Sequence, residues 1–207
     1  MKEVIKKRKE QERQERIERI LNAARNLFLE KGYLNTSMRN ISLESELSTG
    51  AIYFYFKKKD EIYYRICEEA FDLLLSHFKK AYNPKKKGLD NLRALGLAYT
   101  SFYENNRDHY RLLDTITLWQ DLFAHDIKEK FQPKMKKLLA IVHKTVVNVL
   151  EERGLANSED SWKITLNLWA SVEGLFTIHK MGQLTRLGFD FKDLIEKQLA
   201  IFEKGLS

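Results

Sequence analysis

The sequence predicts an all-α protein in which an N-terminal group of three helices precedes a larger helical domain. Apolar residues recur at intervals of three and four through long segments, which is the spacing of one helix face. The 207 residues include only two prolines and nine glycines, which argues against many turns. Alternating β-branched runs bounded by turns, the usual sign of strands, are missing from the sequence. The length is sufficient to bury a sizeable core.

The first helix is predicted to end near Lys31. Apolar residues at positions 17, 20, 21, 24, 27 and 28 form one face, and Gly32 stands where a helix stop is expected. The preceding sixteen residues, MKEVIKKRKEQERQER, are too charged to build a core. They form either a disordered arm or a helical extension of the first helix.

A second, short helix is predicted over residues 38–45. Thr36 or Ser37 can cap its N-terminus, because a hydroxyl oxygen at that position accepts a hydrogen bond from a free backbone N–H. Ile41 and Leu43 are its main apolar contributions.

A third helix begins after a turn at residues 46–48, with Ser48 as its cap. Ile52 and Phe56, four residues apart, share one face of this helix and are expected to pack inward. Two short helices joined by a tight turn, the second presenting small and hydroxylated residues, fit a helix-turn-helix. In that motif the second helix enters the major groove of DNA.

The third helix carries the side chains that suit a duplex. Its first turn holds small residues that let a helix end approach a base pair or phosphate closely: Thr49, Gly50 and Ala51. Tyr53, Tyr55 and Lys59 together form a plausible clamp on the phosphate backbone. The alternative is an ordinary amphipathic helix with half-buried tyrosines and a solvated lysine run at residues 57–59.

At this point the chain resembles the TetR family of transcriptional repressors over about residues 14–62. Three segments carry the resemblance, in the family's order and spacing: AARNLFLEKGY at 23–33, TSMRNIS at 36–42 and STGAIYFYFKKKDEI at 48–62. The resemblance implies a dimeric, ligand-responsive repressor that binds a palindromic operator and is released by a small, largely apolar effector.

The resemblance also assigns residues by position. It implies that Arg39 contacts a base or a phosphate, that residues 49–51 read bases, and that the two tyrosines and Lys59 contact phosphates. With the capping serines, the residues expected at the DNA are Ser37, Arg39, Ser48, Thr49, Gly50, Ala51, Tyr53, Tyr55 and Lys59.

The sequence departs from the family pattern in two places. Ser42 and Leu43 stand where members commonly have alanine and a small or polar residue. Glu46 occupies the usual glycine site, so we expect a somewhat different turn there.

Charge is concentrated at the N-terminal end. Residues 1–60 hold 14 Lys or Arg against 9 Asp or Glu, a balance of +5 out of the total of +7. This distribution is typical of a DNA-binding module attached to a near-neutral remainder. Lys6, Lys7, Arg8 and Lys9 can add minor-groove or phosphate contacts, although a solvated leader without a role is an equally open interpretation.

The remainder of the chain is predicted as further helices. Residues 59–82 form a short fourth helix joined to a longer connecting helix, and residues 83–88, NPKKKG, form an exposed loop. The later helices are expected at about 89–105, 108–123, 127–153 with an interruption at Pro133, 158 or 160 to 181, and 189–204.

The last two long helices are expected to form a homodimer as a four-helix interface. Large and small residues mix on the first, at Leu166, Trp169, Ala170, Gly174 and Phe176, and apolar residues line the second, at Phe191, Leu194, Ile195, Leu199 and Phe202. TetR-like proteins dimerise in this region, and LWASVEGLF at 168–176 resembles the dimer-helix pattern of one subgroup. The alternative is packing within one subunit.

A small-molecule effector pocket is expected in the larger domain, where aromatic and polar residues are dense. The candidate lining residues are Tyr99, Phe102, Tyr103, Tyr110, Trp119, Phe123, His143, Trp169 and Phe176, with His109 and His179 in the same region. The alternative is that these aromatic residues fill the core.

The sequence argues against enzyme, metal and membrane classes. It has no HExxH pair, cysteine cluster, phosphate-binding glycine loop or GxSxG elbow, so we expect no catalytic residues, cofactor or metal site. The single cysteine, Cys67, is expected to be a buried structural thiol. With no secretory or transmembrane stretch, a cytoplasmic protein that contacts no membrane is the simple interpretation.

These observations predict a dimeric DNA-binding repressor, with residues 1–58 reading DNA and residues 59–207 dimerising and binding the effector. A helical interaction protein whose basic end contacts an acidic protein or a membrane surface is the alternative.

Overall fold

The computed structural model describes residues 1–118, 125–155 and 160–205, and within them every regular element is an α-helix. The all-α prediction is confirmed. In chain order the helices are α1 (Lys2–Lys31), α2 (Met38–Glu44), α3 (Thr49–Tyr55), α4 (Lys59–Ala81), α5 (Gly88–Asn105), α6 (Arg107–Leu118), α7 (His125–Glu152), α8 (Ser161–Lys180), α9 (Gln183–Leu187) and α10 (Phe191–Gly205).

The chain divides into two compact units. The first comprises Met1–Leu73 and Asn106–Gln132, and the second comprises Leu74–Asn105 and Pro133–Ser207. Helix α4 therefore begins in the first unit and ends in the second.

The first unit is built around the C-terminal half of α1. Ile20, Leu21 and Ala24 are fully buried on α1, and Ile41 of α2 and Ile52 of α3 are fully buried as well. Each of the two short helices supplies few apolar side chains, so α2 depends on its packing against α1, and α3 on its packing against α2. This arrangement confirms the predicted helix-turn-helix.

The N-terminal sixteen residues are a helical extension of α1, which resolves the alternative left by the sequence. Helix α1 is continuous from Lys2, and every side chain from Met1 to Arg16 is exposed. Gly32 ends the helix at φ 79°, a left-handed conformation that glycine adopts without strain, so the predicted end near Lys31 is confirmed.

Two predictions about the first unit and α4 were wrong. Leu43 is 71% exposed rather than buried, because it lies two positions after Ile41 and therefore on the opposite side of α2.

Helix α4 is a single helix rather than a short helix joined to a longer one. Residues 59–81 contain no glycine or proline, so nothing in the sequence breaks it.

The second unit packs α5, α7, α8 and α10 around a core that includes Leu92, Phe102, Val146, Phe176 and Ile195. Helix α5 begins one residue earlier than predicted, at a buried glycine. A Cβ atom on Gly88 would lie 2.6 Å from the backbone nitrogen of Val149, so only glycine allows α5 and α7 to approach this closely.

The loop before α5 is held by Asn91, which is fully buried. Its side-chain amide donates to the carbonyl oxygens of Asn83 (2.9 Å) and Lys86 (3.2 Å), and its carbonyl oxygen accepts from the Asn83 backbone N–H (2.8 Å). The loop residues 83–87 are exposed, as predicted, but a buried side chain fixes their backbone.

Helices α7 and α10 differ from the prediction, α7 in its continuity and α10 in its first residue. Helix α7 continues through Pro133. The proline removes one backbone hydrogen bond of the helix, while the following turns are anchored by the buried Leu138, Val142 and Val146. Helix α10 begins at Phe191, where the carboxylate of Asp190 accepts from the backbone N–H groups of residues 192 and 193.

Candidate nucleic-acid interface

Serine side chains start both short helices, as the sequence predicted. Ser37 accepts a hydrogen bond from the Asn40 backbone N–H (3.1 Å), while the Asn40 side chain accepts from the Ser37 backbone N–H (2.9 Å). Ser48 accepts from the Ala51 backbone N–H (3.1 Å). Thr36, the other candidate cap for α2, is buried and donates to the Gly32 carbonyl oxygen instead (2.9 Å).

The turn between α2 and α3 keeps a left-handed backbone despite the missing glycine. Glu46 adopts φ 54°, the region that glycine favours, so a residue with a Cβ atom takes the left-handed conformation in this turn. Hydroxyls hold the turn: Ser42 donates to the Leu47 carbonyl oxygen (2.6 Å), and Thr49 donates to the Ser42 hydroxyl (3.2 Å). Ser42, which departs from the family's alanine, therefore takes part in fixing the motif.

Helix α1 also contacts this turn. The guanidinium of Arg19 donates to the Ser45 carbonyl oxygen at 2.8 Å and lies 3.5 Å from the Glu46 carboxylate. The turn that sets the angle between α2 and α3 is thus held from within and from α1.

The outer face of α3 is open. Thr49 and Gly50 are exposed, and a Cβ atom placed on Gly50 would meet nothing within 4 Å. Tyr53 is 45% exposed, whereas Tyr55 and Ala51 are half-buried. On α2, the expected contacts Ser37 and Arg39 are exposed. With Ser48, which is also exposed, eight of the nine predicted DNA contacts lie on α2, α3 or their caps.

Lys59, the ninth, is turned inward. Its ammonium donates to the carbonyl oxygens of Tyr33 (2.6 Å) and Thr36 (2.7 Å) and lies 4.1 Å from the centroid of the Tyr33 ring. Burial lowers the pKa of Lys59, and the charge of neighbouring Asp60 opposes that shift. The ammonium therefore closes the segment between α1 and α2, and in this structure two backbone carbonyl groups occupy it where a phosphate clamp would need it free.

Tyr33 carries a second contact of this connection. Its hydroxyl donates to the Asp60 carboxylate, and its ring lies 5.1 Å from that of Tyr63 and 5.9 Å from that of Phe28. Burial, followed by the hydrogen bond to Asp60, raises the pKa of Tyr33. The first turn of α4 is therefore fixed to the end of α1 by two neighbouring residues, Lys59 and Asp60.

The sequence predicted no contact for two residues at or just after the end of α3. Phe54 is 71% exposed, and its ring meets that of Tyr55 edge-on at 5.0 Å. Lys57 donates from its ammonium to the Tyr53 carbonyl oxygen (2.9 Å), which caps the helix. Phe54 could have been recognised because it lies two positions after Ile52, which places it on the opposite side of the helix; Phe56, expected on the buried face, is a half-buried extended residue just after the helix.

The predicted effector residues divide between the units. Tyr110 lies in the first unit, whereas six others lie in the second: Tyr99, Phe102, Tyr103, His143, Trp169 and Phe176. Trp119 and Phe123 lie outside the described residues. Within the second unit His143 is separate from the aromatic cluster, because its ring stacks on Trp162 at 3.8 Å and its Nε2 is 3.1 Å from the Ser161 hydroxyl.

An aromatic cluster surrounds Phe176. Its ring lies 4.6 Å from that of Tyr99, 5.3 Å from that of Tyr103 and 4.7 Å from that of Phe191. Phe102 is fully buried against His77 at 5.7 Å. Phe102 and Phe176 therefore fill core, which was the alternative to pocket lining.

Tyr99 and Trp169 border an apolar cavity of about 40 Å³ in the second unit. The other walls include the aliphatic side chains of Leu92, Leu95, Val172 and Leu199. The Tyr99 hydroxyl points to the Glu173 carboxylate, to which it donates at 2.6 Å. A drug-sized ligand occupies several hundred cubic ångströms, so this cavity must enlarge to admit one.

The expected dimer helices show two kinds of face. Phe176, Phe191, Ile195 and Leu199 are buried inside their own unit, so these residues cannot form an interface between subunits without rearrangement. Another face of α8 is exposed, and its members follow one another at four-residue intervals: Trp162, Leu166, Ala170, Gly174 and Ile178. A Cβ atom on Gly174 would meet nothing within 4 Å.

Cys67 is fully buried, as predicted for a structural thiol, and its sulfur lies 3.5 Å from the Leu112 carbonyl oxygen. Burial raises its pKa well above the usual value.

Within the described ranges, no three His, Cys, Asp or Glu side chains converge as metal ligands would. No helix among these residues combines the length and the apolar character needed to cross a bilayer.

Comparison with known proteins identifies the N-terminal domain. Residues 20–66 match the domain described as "Bacterial regulatory proteins, tetR family". YuxN of Bacillus subtilis, described as an uncharacterized HTH-type transcriptional regulator, is 32% identical over 197 residues, which cover 91% of this chain and 63% of YuxN. The regulator HbdR of Aromatoleum is 30% identical over 95 residues, covering 46% of this chain and 42% of HbdR. The chain thus spans between 42% and 63% of the length of these relatives.

Solved structures share the whole fold at low identity. FadR from Bacillus subtilis, solved in complex with stearoyl-CoA, superposes with a TM-score of 0.71 at 18% identity, over 90% of this chain and 97% of FadR. A tetR-family regulatory protein from Rhodococcus RHA1 gives 0.69 at 18% identity, over 93% and 97% of the two chains. With its helix-turn-helix and the match over residues 20–66, the N-terminal part of the chain is a domain of the TetR family of bacterial regulatory proteins.

Proposed function

We propose that this protein is a dimeric transcriptional repressor that binds a palindromic operator through α2 and α3 and is released by a small apolar effector. Residues 1–58 read DNA, and residues 59–207 dimerise and bind the effector. The observation that carries the proposal is the exposed face of α3, where Thr49, Gly50 and Tyr53 stand free of the core on a helix whose start and turn are fixed by hydroxyl contacts.

The exposed side chains of α2 and α3 suit two parts of the duplex, the phosphate oxygens and the base edges. Tyr53 and Tyr55 carry hydroxyls that suit phosphate oxygens, while the small first turn of α3 lets its backbone approach the groove. Arg39 is the long cation on the outer surface of α2, and guanidinium groups pair with guanine edges or phosphates. Lys59 acts as a positioning residue, since its ammonium is engaged by backbone carbonyls.

The exposed face of α8 supports dimerisation. Leu166 is 50% exposed, and its neighbours Ala170 and Gly174 allow a second helix to approach closely. A palindrome reader needs two copies at a fixed half-site spacing. Leu166→Glu is expected to shift the mass measured by light scattering from dimer to monomer, while Leu97→Glu, at a similarly exposed leucine on α5, is expected to leave it unchanged.

The apolar cavity beside Tyr99 and Trp169 supports an apolar effector. A ligand releases DNA only when it binds the DNA-free conformation more tightly than the DNA-bound one. Stearoyl-CoA, which the structurally similar FadR binds in its solved complex, is a suitable first probe. Operator affinity measured with and without stearoyl-CoA tests the effector class, with Trp169→Ala as the variant that alters the cavity wall.

Selection of bound duplexes from a random pool at near-physiological salt tests the central proposal. The parent is expected to enrich a two-fold symmetric site, and a Tyr53→Phe/Arg39→Ala variant is expected to lose that enrichment. A helical interaction protein with a basic end, the competing function, would show only a salt-dependent background without sequence preference. Failure of the folded, dimeric parent to enrich any site in the absence of ligand would contradict the proposed release mechanism.

A further inference from the structure

We infer that the N-terminal extension of α1 is a second DNA-binding surface, which holds the phosphate backbone outside the segment contacted by α3. The surface is a row of five cations, here called the basic row: Lys2, Lys6, Lys9, Arg13 and Arg16. The inference rests on the proposed function in taking duplex DNA as the partner.

The extension is a regular helix that no element among the described residues covers. Helix α1 runs without a break from Lys2 to Lys31, and its first sixteen residues are all exposed. Sixteen residues of α-helix measure roughly 24 Å at 1.5 Å per residue. The cations are therefore carried on a regular scaffold, and their positions around the helix can be read from their spacing.

The spacing places the basic row on one side of α1. Its members follow one another at intervals of four, three, four and three residues, which keeps side chains on a single helix face. The same progression continues at Ile20, Ala23 and Leu27, all of which are buried in the core of the first unit. The basic row thus continues the buried side of α1 into the exposed extension.

A contact of α1 places the start of the extension next to the reading motif. Arg19, three residues after the last member of the basic row, donates to the Ser45 carbonyl oxygen at 2.8 Å in the turn that leads into α3. The extension leaves the domain at this turn. The basic row therefore ends within one helical turn of the residue that holds the reading motif.

Charge is concentrated on this face. Among the described residues, Lys2, Lys6, Lys9 and Arg16 take part in no ion pair, and Arg13 lies 3.4 Å from the Glu10 carboxylate. Off the row, the extension has two basic residues and four glutamates, and one of these basic residues, Arg8, pairs with Glu12 at 3.0 Å. The positive potential of the extension is therefore strongest along the basic row.

The chemistry of the row favours DNA over the two other occupants of an exposed helix. Intervals of four and three are those of a coiled-coil seam, but a seam needs apolar residues, and facing rows of lysine and arginine repel each other. A membrane-surface helix needs an apolar face, and the extension has only Met1, Val4 and Ile5. Duplex DNA carries about one negative charge per 1.7 Å, so a row roughly 21 Å long meets several phosphates.

The test compares two double variants of the 207-residue chain with the same loss of charge. Lys6→Gln/Lys9→Gln removes two members of the basic row, and Lys7→Gln/Arg8→Gln removes their immediate neighbours on other faces. Affinity for a random-sequence duplex and for the selected symmetric duplex is measured over a salt titration. Circular dichroism verifies that helix content is the same in all three proteins.

The row variant is expected to lower the slope of log affinity against log salt by about two per protomer, since each phosphate contact contributes about 0.9. The control variant is expected to lower it by less than one. Equal losses in the two variants, or no loss in the row variant, would overturn the inference. So would a row variant that keeps its DNA slope but loses binding to vesicles containing phosphatidylserine, because the partner would then be a membrane.

These outcomes are separate from failure of the proposed function. A parent that binds duplexes without sequence preference, together with a reduced slope in the row variant, would support the basic row and overturn the sequence-reading repressor. A parent that enriches a symmetric site while both double variants keep the parent slope would support the sequence-reading repressor and overturn the basic row as a DNA-binding surface.

Discussion

The ammonium of Lys59 donates to the carbonyl oxygen of Tyr33 at 2.6 Å, and this bond ties the first turn of α4 to the start of the segment between α1 and α2. The same ammonium donates to the Thr36 carbonyl oxygen at 2.7 Å, immediately before the cap of α2. One side chain thus joins α4 to the residues that start the helix-turn-helix, and movement of α4 at this point would be transmitted to α2.

Lys59→Met is expected to lower the free energy of unfolding by about 1–3 kcal/mol, because charged hydrogen bonds are lost and a carbonyl group loses a partner in a partly buried site. Lys58→Met, at the exposed neighbour, is expected to change it by less than about 0.5 kcal/mol. Urea unfolding of the two variants measures the difference. If Lys59 instead contacted phosphate, its loss would reduce the salt dependence of DNA binding by about one, with little effect on stability.

Glu46→Gly is expected to stabilise the protein by up to about 1 kcal/mol. The left-handed conformation of Glu46 costs about 1–2 kcal/mol for a residue with a Cβ atom, and the greater freedom of glycine in the unfolded chain offsets part of the gain. The exposed contact with Arg19 at 3.5 Å contributes little. Glu44→Gly, at a helical glutamate two residues earlier, is expected to destabilise by about 0.5–1 kcal/mol. A lower thermal midpoint for Glu46→Gly would contradict the strain argument.

Two glycines of α5 are expected to respond oppositely to alanine. At Gly96 a Cβ atom would lie 3.6 Å from Ile195 and 3.7 Å from Leu199, which is ordinary contact, so Gly96→Ala is expected to stabilise the helix by roughly 1 kcal/mol. At Gly88 the same atom would be 2.6 Å from the Val149 backbone nitrogen, so Gly88→Ala must separate α5 from α7 and is expected to destabilise. Thermal unfolding of both variants checks the signs. Equal midpoints would show that α5 and α7 adjust freely.

The parts of the fold that sequence could predict are those governed by local rules. The Ser37 and Ser48 caps follow from a side chain bonding to backbone three residues away. The end of α1 follows from the left-handed freedom of Gly32. The inward turn of Lys59 depends instead on carbonyl groups 26 and 23 residues earlier in the chain, and no periodicity reports that proximity.

The candidate effector site shows the same limit. Aromatic residues at helical spacing suit both a packed core and a pocket wall, and the structure places Phe176 in the first class and Tyr99 and Trp169 beside a cavity. The distinction depends on how neighbouring helices pack, since a cavity remains where side chains from different helices leave space unfilled. Tyr110 illustrates the point. It is an aromatic residue at helical spacing like the other candidates, but the fold places it in the first unit rather than the second.

His109 is expected to make folding stability fall in mild acid. Burial lowers the pKa of His109, and the positive charge of Arg25 lowers it further, while the carboxylates of Asp108 and Glu69 oppose the shift. Because the folded pKa is below that of the unfolded chain, the unfolded state binds more protons between the two values, and stability rises with pH through that window.

The penalty begins as the pH drops below about 6.5, the ordinary histidine value, and is complete below the lowered folded pKa. His109→Gln is therefore expected to lose less stability than the parent between pH 7.5 and pH 5, as measured by urea unfolding at each pH. Parallel pH profiles for parent and variant would show that protonation of His109 is not coupled to folding. Since Arg25 also pairs with Glu69 at 2.7 Å, Arg25→Gln would be expected to reduce the same pH dependence while lowering stability at every pH.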